Sequence, residues 1–174
     1  MRIYVSYDQT GFGSIGNSWS MFRIDVTTLE SPGDYWCLEE LSFWDENGDR
    51  MTVSFGGGSA ESQYSSTYAA GMAFNEESNN DHSYYCSQNG YTSASGTYGG
   101  GWLQYTFDAP VVVASYQIED LNGWTVNYAP LAWTMSVSND GVSWTVVDTQ
   151  TNVVWGSDGV VAEFPIAEVG MFST

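Results

Sequence analysis

The spacing of its apolar residues limits this chain more than anything else. They recur at every second position, and no stretch of a dozen residues carries them at the i, i+3, i+4 and i+7 positions of a helix. Phe22, Ile24 and Val26 alternate with Arg23, Asp25 and Thr27. Leu103, Tyr105 and Phe107 alternate with Gln104, Thr106 and Asp108, and Trp133, Met135 and Val137 alternate with Thr134, Ser136 and Ser138. Successive strand side chains point to opposite faces, so each run offers one face to a core and the other to water or a second layer. The strand tryptophans Trp102, Trp133 and Trp144 are expected in that core.

Turn signals separate the runs. Ser138-Asn139-Asp140-Gly141-Val142 predicts a hairpin between strands 133–137 and 144–148, Asp-Gly supplying the positive φ angles of a tight turn. Asn47-Gly48-Asp49 predicts another between strands 41–45 and 50–55, with Gly56-Gly57-Gly58 ending the second strand. From about Ser59 to Gly101 the composition shifts to Ser, Gly, Asn, Tyr and Glu. That stretch reads as long loop with one short helical turn near 68–72, and a shorter loop spans 119–130. Loops of such length are often functional. With 174 residues one core is the default. Many short strands joined by turns imply an all-β fold of two packed antiparallel sheets, a sandwich or jelly roll.

Charge narrows the partners. The formal net charge is -18, the only cations are Arg2, Arg23 and Arg50, and lysine is absent. Such a surface repels phosphate backbones and anionic headgroups, so neither nucleic acid nor an acidic membrane is an expected partner. The N-terminus lacks the apolar segment of a signal peptide, and Val111-Val112-Val113-Ala114, the longest aliphatic run, is far too short for a membrane span. A soluble protein without an export signal is expected. On that ground Cys37 and Cys86 are expected as two buried free thiols in place of a disulfide.

Several local motifs resemble those of the discoidin family, also called coagulation factor V/VIII type C domains, within the galactose-binding-like jelly rolls. Residues 38–48, Leu-Glu-Glu-Leu-Ser-Phe-Trp-Asp-Glu-Asn-Gly, look like the family's opening strand and turn, and Ala73-Phe74-Asn75 looks like its Ala-Phe-Asp segment. Trp102-Leu103-Gln104 looks like its Trp-Leu-Gln strand, and residues 130–144 look like its hairpin ending in Asp-Gly-x-x-Trp. Trp155 and Glu163-Phe164-Pro165-Ile166 fit the last strands. The likeness covers about 150 residues, making 19–174 one discoidin-like domain and 1–18 an N-terminal arm or extra strand. The opening and closing segments resemble the discoidin-like domains of phage structural and tail proteins.

The resemblance implies ligand binding by loops at one end of the sandwich, commonly of carbohydrate, and often a structural calcium ion. The positions matching the family's calcium ligands are Asn75, Ser83 and Glu163, with Glu76 and Glu168 as neighbours. Asn in place of Asp removes a charge that calcium prefers, and a solvated acidic loop is the competing reading. A sugar site needs an aromatic platform with a few polar groups, because a pyranose has an apolar face and a hydroxyl rim. Loop aromatics Tyr84, Tyr85, Tyr91, Tyr98, Trp124 and Tyr128 could supply it, with Asn122, Asn127, Gln88 and Asn89 as partners. Half-buried Tyr and Trp also routinely seal loops.

His82, the only histidine, lies in Asp81-His82-Ser83, but adjacent loop residues rarely converge as a triad does. No activated nucleophile stands out, and no enzyme is expected. The leading expectation is a structural or decoration protein of a virion, of phage type, packing on other virion subunits or on itself and assembled in the host cytoplasm. The alternative is a carbohydrate-binding module on a tail or a secreted, extracellular protein.

Overall fold

The computed structural model describes residues 17–29, 35–77, 83–88, 101–121, 128–156 and 159–166. Its strands are β1 (Trp19–Leu29), β2 (Cys37–Leu38), β3 (Glu40–Trp44), β4 (Gly58–Ala60), β5 (Tyr85–Cys86), β6 (Gly101–Val111), β7 (Ser115–Glu119), β8 (Pro130–Ser138), β9 (Thr145–Gln150) and β10 (Val161–Pro165). All pairings among them are antiparallel. One sheet has the order β4-β6-β1-β8-β9, a second β10-β7-β3, and a third pairs β2 with β5. The protein is an all-β sandwich of packed antiparallel sheets. No helix among the described residues is long and apolar enough to cross a membrane.

The alternation places the core. In the large sheet Ile24 lies between Leu103 and Met135, and Phe22 between Tyr105 and Val137. Against them the small sheet turns Leu41, Phe43, Tyr116, Ile118 and Phe164, all buried. Phe43 reaches across to Phe22, with ring centroids 5.2 Å apart, and Trp133 meets Phe164 edge-on at 5.0 Å. Burying each such side chain contributes about 1.5–3 kcal/mol, which is why two faces of alternating residues suffice to close the layers.

Two of the three strand tryptophans are not in this core. Trp133 is fully buried, but Trp102 and Trp144 are only half-buried. Trp102 shares the outer face of the large sheet with Gln104, opposite the inward-facing Leu103 and Tyr105. The Arg23 guanidinium sits 4.0 Å from the Trp144 ring and 5.9 Å from Trp102, while its Nε donates to Asp25 at 3.0 Å. A cation that stacks on indoles keeps them at the surface, because the charge must stay wet.

The strand expected over 50–55 is a single bridge. Arg50 pairs with Trp44 and Met51 N–H donates to the Phe43 carbonyl at 2.8 Å, after which the chain leaves the small sheet. It crosses to the other layer through a 3-10 turn, Phe55–Gly57, so the glycines lead into β4 instead of ending a strand. Position 57 must be glycine there, since a Cβ would fall 2.5 Å from the Tyr105 ring. The region read as loop therefore holds strands β4 and β5, with 3-10 turns at Ser66–Tyr68 and Ala70–Phe74.

The hairpin of β8 and β9 forms, with a wider turn than a two-residue one. Gly141 has φ 69°, whereas Asp140 keeps negative φ and accepts from the Ser143 and Val142 N–H groups at 2.7 and 2.8 Å. Those two bonds, then the Ser138 hydroxyl, hold its carboxyl down at about 2. The side chain has taken over a role that a second positive φ would fill in a tighter turn.

On the outer face of the small sheet, Glu40 is buried with Oε1 accepting from Arg50 Nη2 at 2.8 Å, and Oε2 has no partner among the described residues. Burial pushes its carboxyl up to about 8 against the pull of Arg50, with the charge of Glu119 adding to the rise. Burial also raises Glu119. A carboxyl raised in the folded state favours folding while protonated, and that contribution is lost as pH climbs from the unfolded value of 4.5 through about 8. Unfolding free energy in urea is expected to fall by a few kcal/mol, on the order of the shift, between pH 5 and 9. Glu40→Gln should flatten most of that slope; a wild-type profile already flat would contradict the burial.

Candidate functional site

Two triplets of the same pattern build the site. Tyr35-Trp36-Cys37 and Tyr84-Tyr85-Cys86 run antiparallel, with Cys37 opposite Cys86 and Leu38 opposite Tyr85. Trp36 N–H donates to Ser87 Oγ at 3.0 Å, and Ser87 N–H donates to the Trp36 carbonyl at 2.9 Å. Side chains two apart share a face, so Tyr35, Cys37, Tyr84 and Cys86 fall on one side and Trp36 and Tyr85 on the other. Trp36 and Tyr85 go into the core, edge to face at 5.1 Å, and the Tyr85 hydroxyl donates to the Ser62 carbonyl at 2.9 Å. Tyr85 is thus a core residue, where the sequence reading had made it a loop aromatic.

Cys37 and Cys86 form a disulfide, overturning the expected free thiols. The reason is register. Facing positions of an antiparallel pair without mutual hydrogen bonds stand about 4.5 Å apart at Cα, and here the separation is 4.2 Å. Compartment was inferred from a missing leader, whereas pairing is set by which residue faces which.

Around this cystine lies a pocket of about 210 Å³ lined by Tyr35, Tyr64, Tyr68, Tyr84 and Tyr128, with Leu121. Tyr35 stacks on Tyr128 with centroids 4.8 Å apart and planes 10° apart, and Tyr68 stacks on Tyr84 at 4.9 Å. Tyr64 joins the two stacks, 5.4 Å from Tyr35 and 5.8 Å from Tyr68, and its own ring is 53% exposed. Its N–H donates to the Cys86 carbonyl at 2.9 Å, which ties the 61–68 segment to the cystine. Burial first, then a hydrogen bond shared with Tyr68 and the nearby phenols of Tyr35 and Tyr128, push the Tyr84 phenol above its ordinary range. The polar side-chain groups of the described lining are hydroxyls at the edges of aromatic rings.

Of the expected sugar-site residues, Tyr84 and Tyr128 meet here, while Tyr98, Trp124 and Asn127 lie outside the described residues, as do Tyr91, Asn122, Asn89 and His82. Gln88 is exposed, its N–H donating to Ser62 Oγ at 3.2 Å. Tyr35, Tyr64, Tyr68 and the cystine were missed. The signal that could have found them was the repeated Tyr-aromatic-Cys triplet, together with the i, i+4 spacing of Tyr64 and Tyr68.

The calcium candidates divide between two hydrogen-bonded sets. Asn75 Nδ2 donates to Ser83 Oγ at 2.7 Å, the Ser83 hydroxyl donates to Glu77 Oε2 at 2.9 Å, and Glu77 N–H donates to Asn75 Oδ1 at 2.9 Å. Glu163 instead accepts from the Ser115 hydroxyl at 2.7 Å and from Gln117 at 3.3 Å. Glu76 has φ 60° and adds to the charge around Glu40. Glu168 lies outside the described residues. One carboxylate beside an amide whose nitrogen points at the serine is a poor match for the six to eight oxygens calcium takes. No cluster of three or more His, Cys, Asp or Glu fit for a metal occurs among the described residues.

A second, wider cleft of about 750 Å³ runs between residues 52–59 and the end of β6. Among the described residues three glycines line it and Asp108 is its one charged side chain, so they offer shape with little chemistry. Comparison with family models, curated proteins and solved structures finds no match to this chain. The likeness to discoidin domains rests on the local motifs alone.

Proposed function

We propose that this chain is a non-enzymatic binding module whose tyrosine pocket takes up a carbohydrate. The observation that carries this reading is the convergence of five tyrosines and a cystine on one small concavity. Sugars are held by aromatic rings against their apolar faces and by a few hydroxyl partners at the rim, and this pocket supplies both. Burial raises the Tyr84 phenol, which then offers neither a nucleophile nor a general base at neutral pH, and this supports binding as the pocket's chemistry. A glycan array, run with calcium and with chelator, tests it. The wild-type chain is expected to bind a restricted set of glycans, and Tyr128→Ala to weaken that binding by up to about tenfold, the worth of one aromatic contact. Flat signal across the array in both conditions would overturn the reading.

A second reading, compatible with the first, is a virion structural or decoration protein of phage type that packs on neighbouring subunits. It is favoured by an edge of the large sheet that is free among the described residues. β9 is the last strand in its order, Val142 and Val146 of that hairpin are 83% and 55% exposed, and Val154 just beyond it is 84% exposed. An open edge with apolar side chains is a natural place for another chain to pair. A disulfide also fits a particle surface or an extracellular setting better than a reducing cytoplasm. Electron microscopy of native particles decides: a stoichiometric copy on a virion supports the assignment, and none on any virion removes it.

A further inference from the structure

The electrostatics around the pocket say more about its ligand than its shape does. Among the described residues none that lines it is Lys, Arg or His. Of the chain's three cations, both described ones lie outside this lining, Arg23 beside Asp25 and Arg50 beside Glu40. A chain of net charge -18 with its described guanidinium groups paired in this way projects a negative field on the pocket. The rings add to it. An aromatic face carries the negative part of a quadrupole and attracts a cation within about 6 Å of its centroid, most strongly when the cation is desolvated.

We propose that the tyrosine pocket is an aromatic cage for an organic ammonium group, quaternary or methylated, carried by the ligand. The proposal rests on the reading that this pocket is the ligand site, and it names the chemistry recognised there. Anionic sugars and phosphates are disfavoured, since nothing in the described lining compensates their charge. A bare metal ion is disfavoured as well, because calcium demands six to eight oxygen ligands and no carboxylate lines the pocket among the described residues. A methylated ammonium needs neither. It has few or no N–H groups to satisfy and sheds water readily, and its positive methyl shell packs on ring faces and phenol oxygens alike. Size agrees: about 210 Å³ lies below the roughly 300–1,000 Å³ of pockets for drug-sized ligands and suits one compact head group.

Calorimetric titration of the full chain tests this with choline chloride, tetramethylammonium chloride and the uncharged isostere 3,3-dimethyl-1-butanol, at matched ionic strength. Both ammonium salts are expected to bind saturably, with the isostere about tenfold weaker. Tyr64, whose exposed ring makes folding failure least expected, supplies the variants. Tyr64→Leu should weaken choline about tenfold and Tyr64→Phe less than about threefold, since the ring and not the hydroxyl carries the attraction. Trp144→Leu, on the outer face of the large sheet, should leave choline binding unchanged. Equal affinity for choline and its isostere, or no saturable binding of either salt, overturns the cage. Glycans that bind the array with no competition from choline would leave the pocket reading standing and the cage refuted. Silence in both experiments would refute the two together.

Discussion

Trp133→Ala is expected to lower the unfolding free energy by about 3–5 kcal/mol, read as a fall in the urea midpoint without a change of slope. The indole is fully buried between the sheets and meets Phe164 edge-on. It is also the first link of a polar chain that joins the layers. Trp133 Nε1 donates to the Tyr116 hydroxyl at 2.8 Å, and that hydroxyl donates to Asp148 Oδ2 at 2.6 Å. Gln150 Nε2 donates to the same carboxylate at 2.9 Å. Burial and the Asp148 carboxylate push the Tyr116 phenol far above its ordinary range, so it remains a donor. Tyr116→Phe should cost about 1–3 kcal/mol, because it strands a buried indole N–H while removing almost no apolar contact. If Tyr116→Phe proves neutral, the chain of bonds contributes nothing and the tryptophan acts through packing alone.

The second large effect is that of the cystine. Replacing both Cys37 and Cys86 with serine is expected to cost about 4 kcal/mol, the chain entropy released on opening a loop of that size; the two residues are 49 apart in sequence. Reduction of the wild type should lower the unfolding free energy in urea by the same amount. Stability is the smaller part of the expectation. Tyr35 and Tyr84 stand on the two short strands that the disulfide holds together, so the serine variant should lose ligand binding even under conditions where it stays folded. Alkylation of the unfolded chain without reductant gives an independent check. Two alkyl adducts by mass would show free thiols and return the protein to the original expectation, whereas no adduct supports the cross-link.

The parts of the fold that were legible are the long ones. Eleven residues in β1 and eleven in β6 show enough alternation to assign a face to each side chain, and Phe22, Ile24, Leu103, Met135 and Val137 fell where the period put them. Trp102 was expected in the core with Trp133 and Trp144, yet it is out of phase with the inward-facing Leu103 and Tyr105 and lies on the outer face. The period was the better guide, because Arg23 stacks on Trp102 and Trp144 from outside. Strands β2 and β5 have two residues each, too few for any period to register.

The candidate site was half-legible for the same reason. Tyr84 and Tyr128 were picked for lying on loops, and Tyr85, chosen on equal grounds, turned out to be core, because one step along a strand reverses the face. Acidity, the lack of lysine and the alternation are properties of the chain itself, and they determined the all-β architecture and the sign of the field before any folding. Which tyrosines share a pocket, and whether two cysteines 49 residues apart can bond, depended on the register of strands distant in sequence. Register is a relation between segments, decided by the packing of Trp36 and Tyr85 into a common core, and no local pattern in either segment contains it.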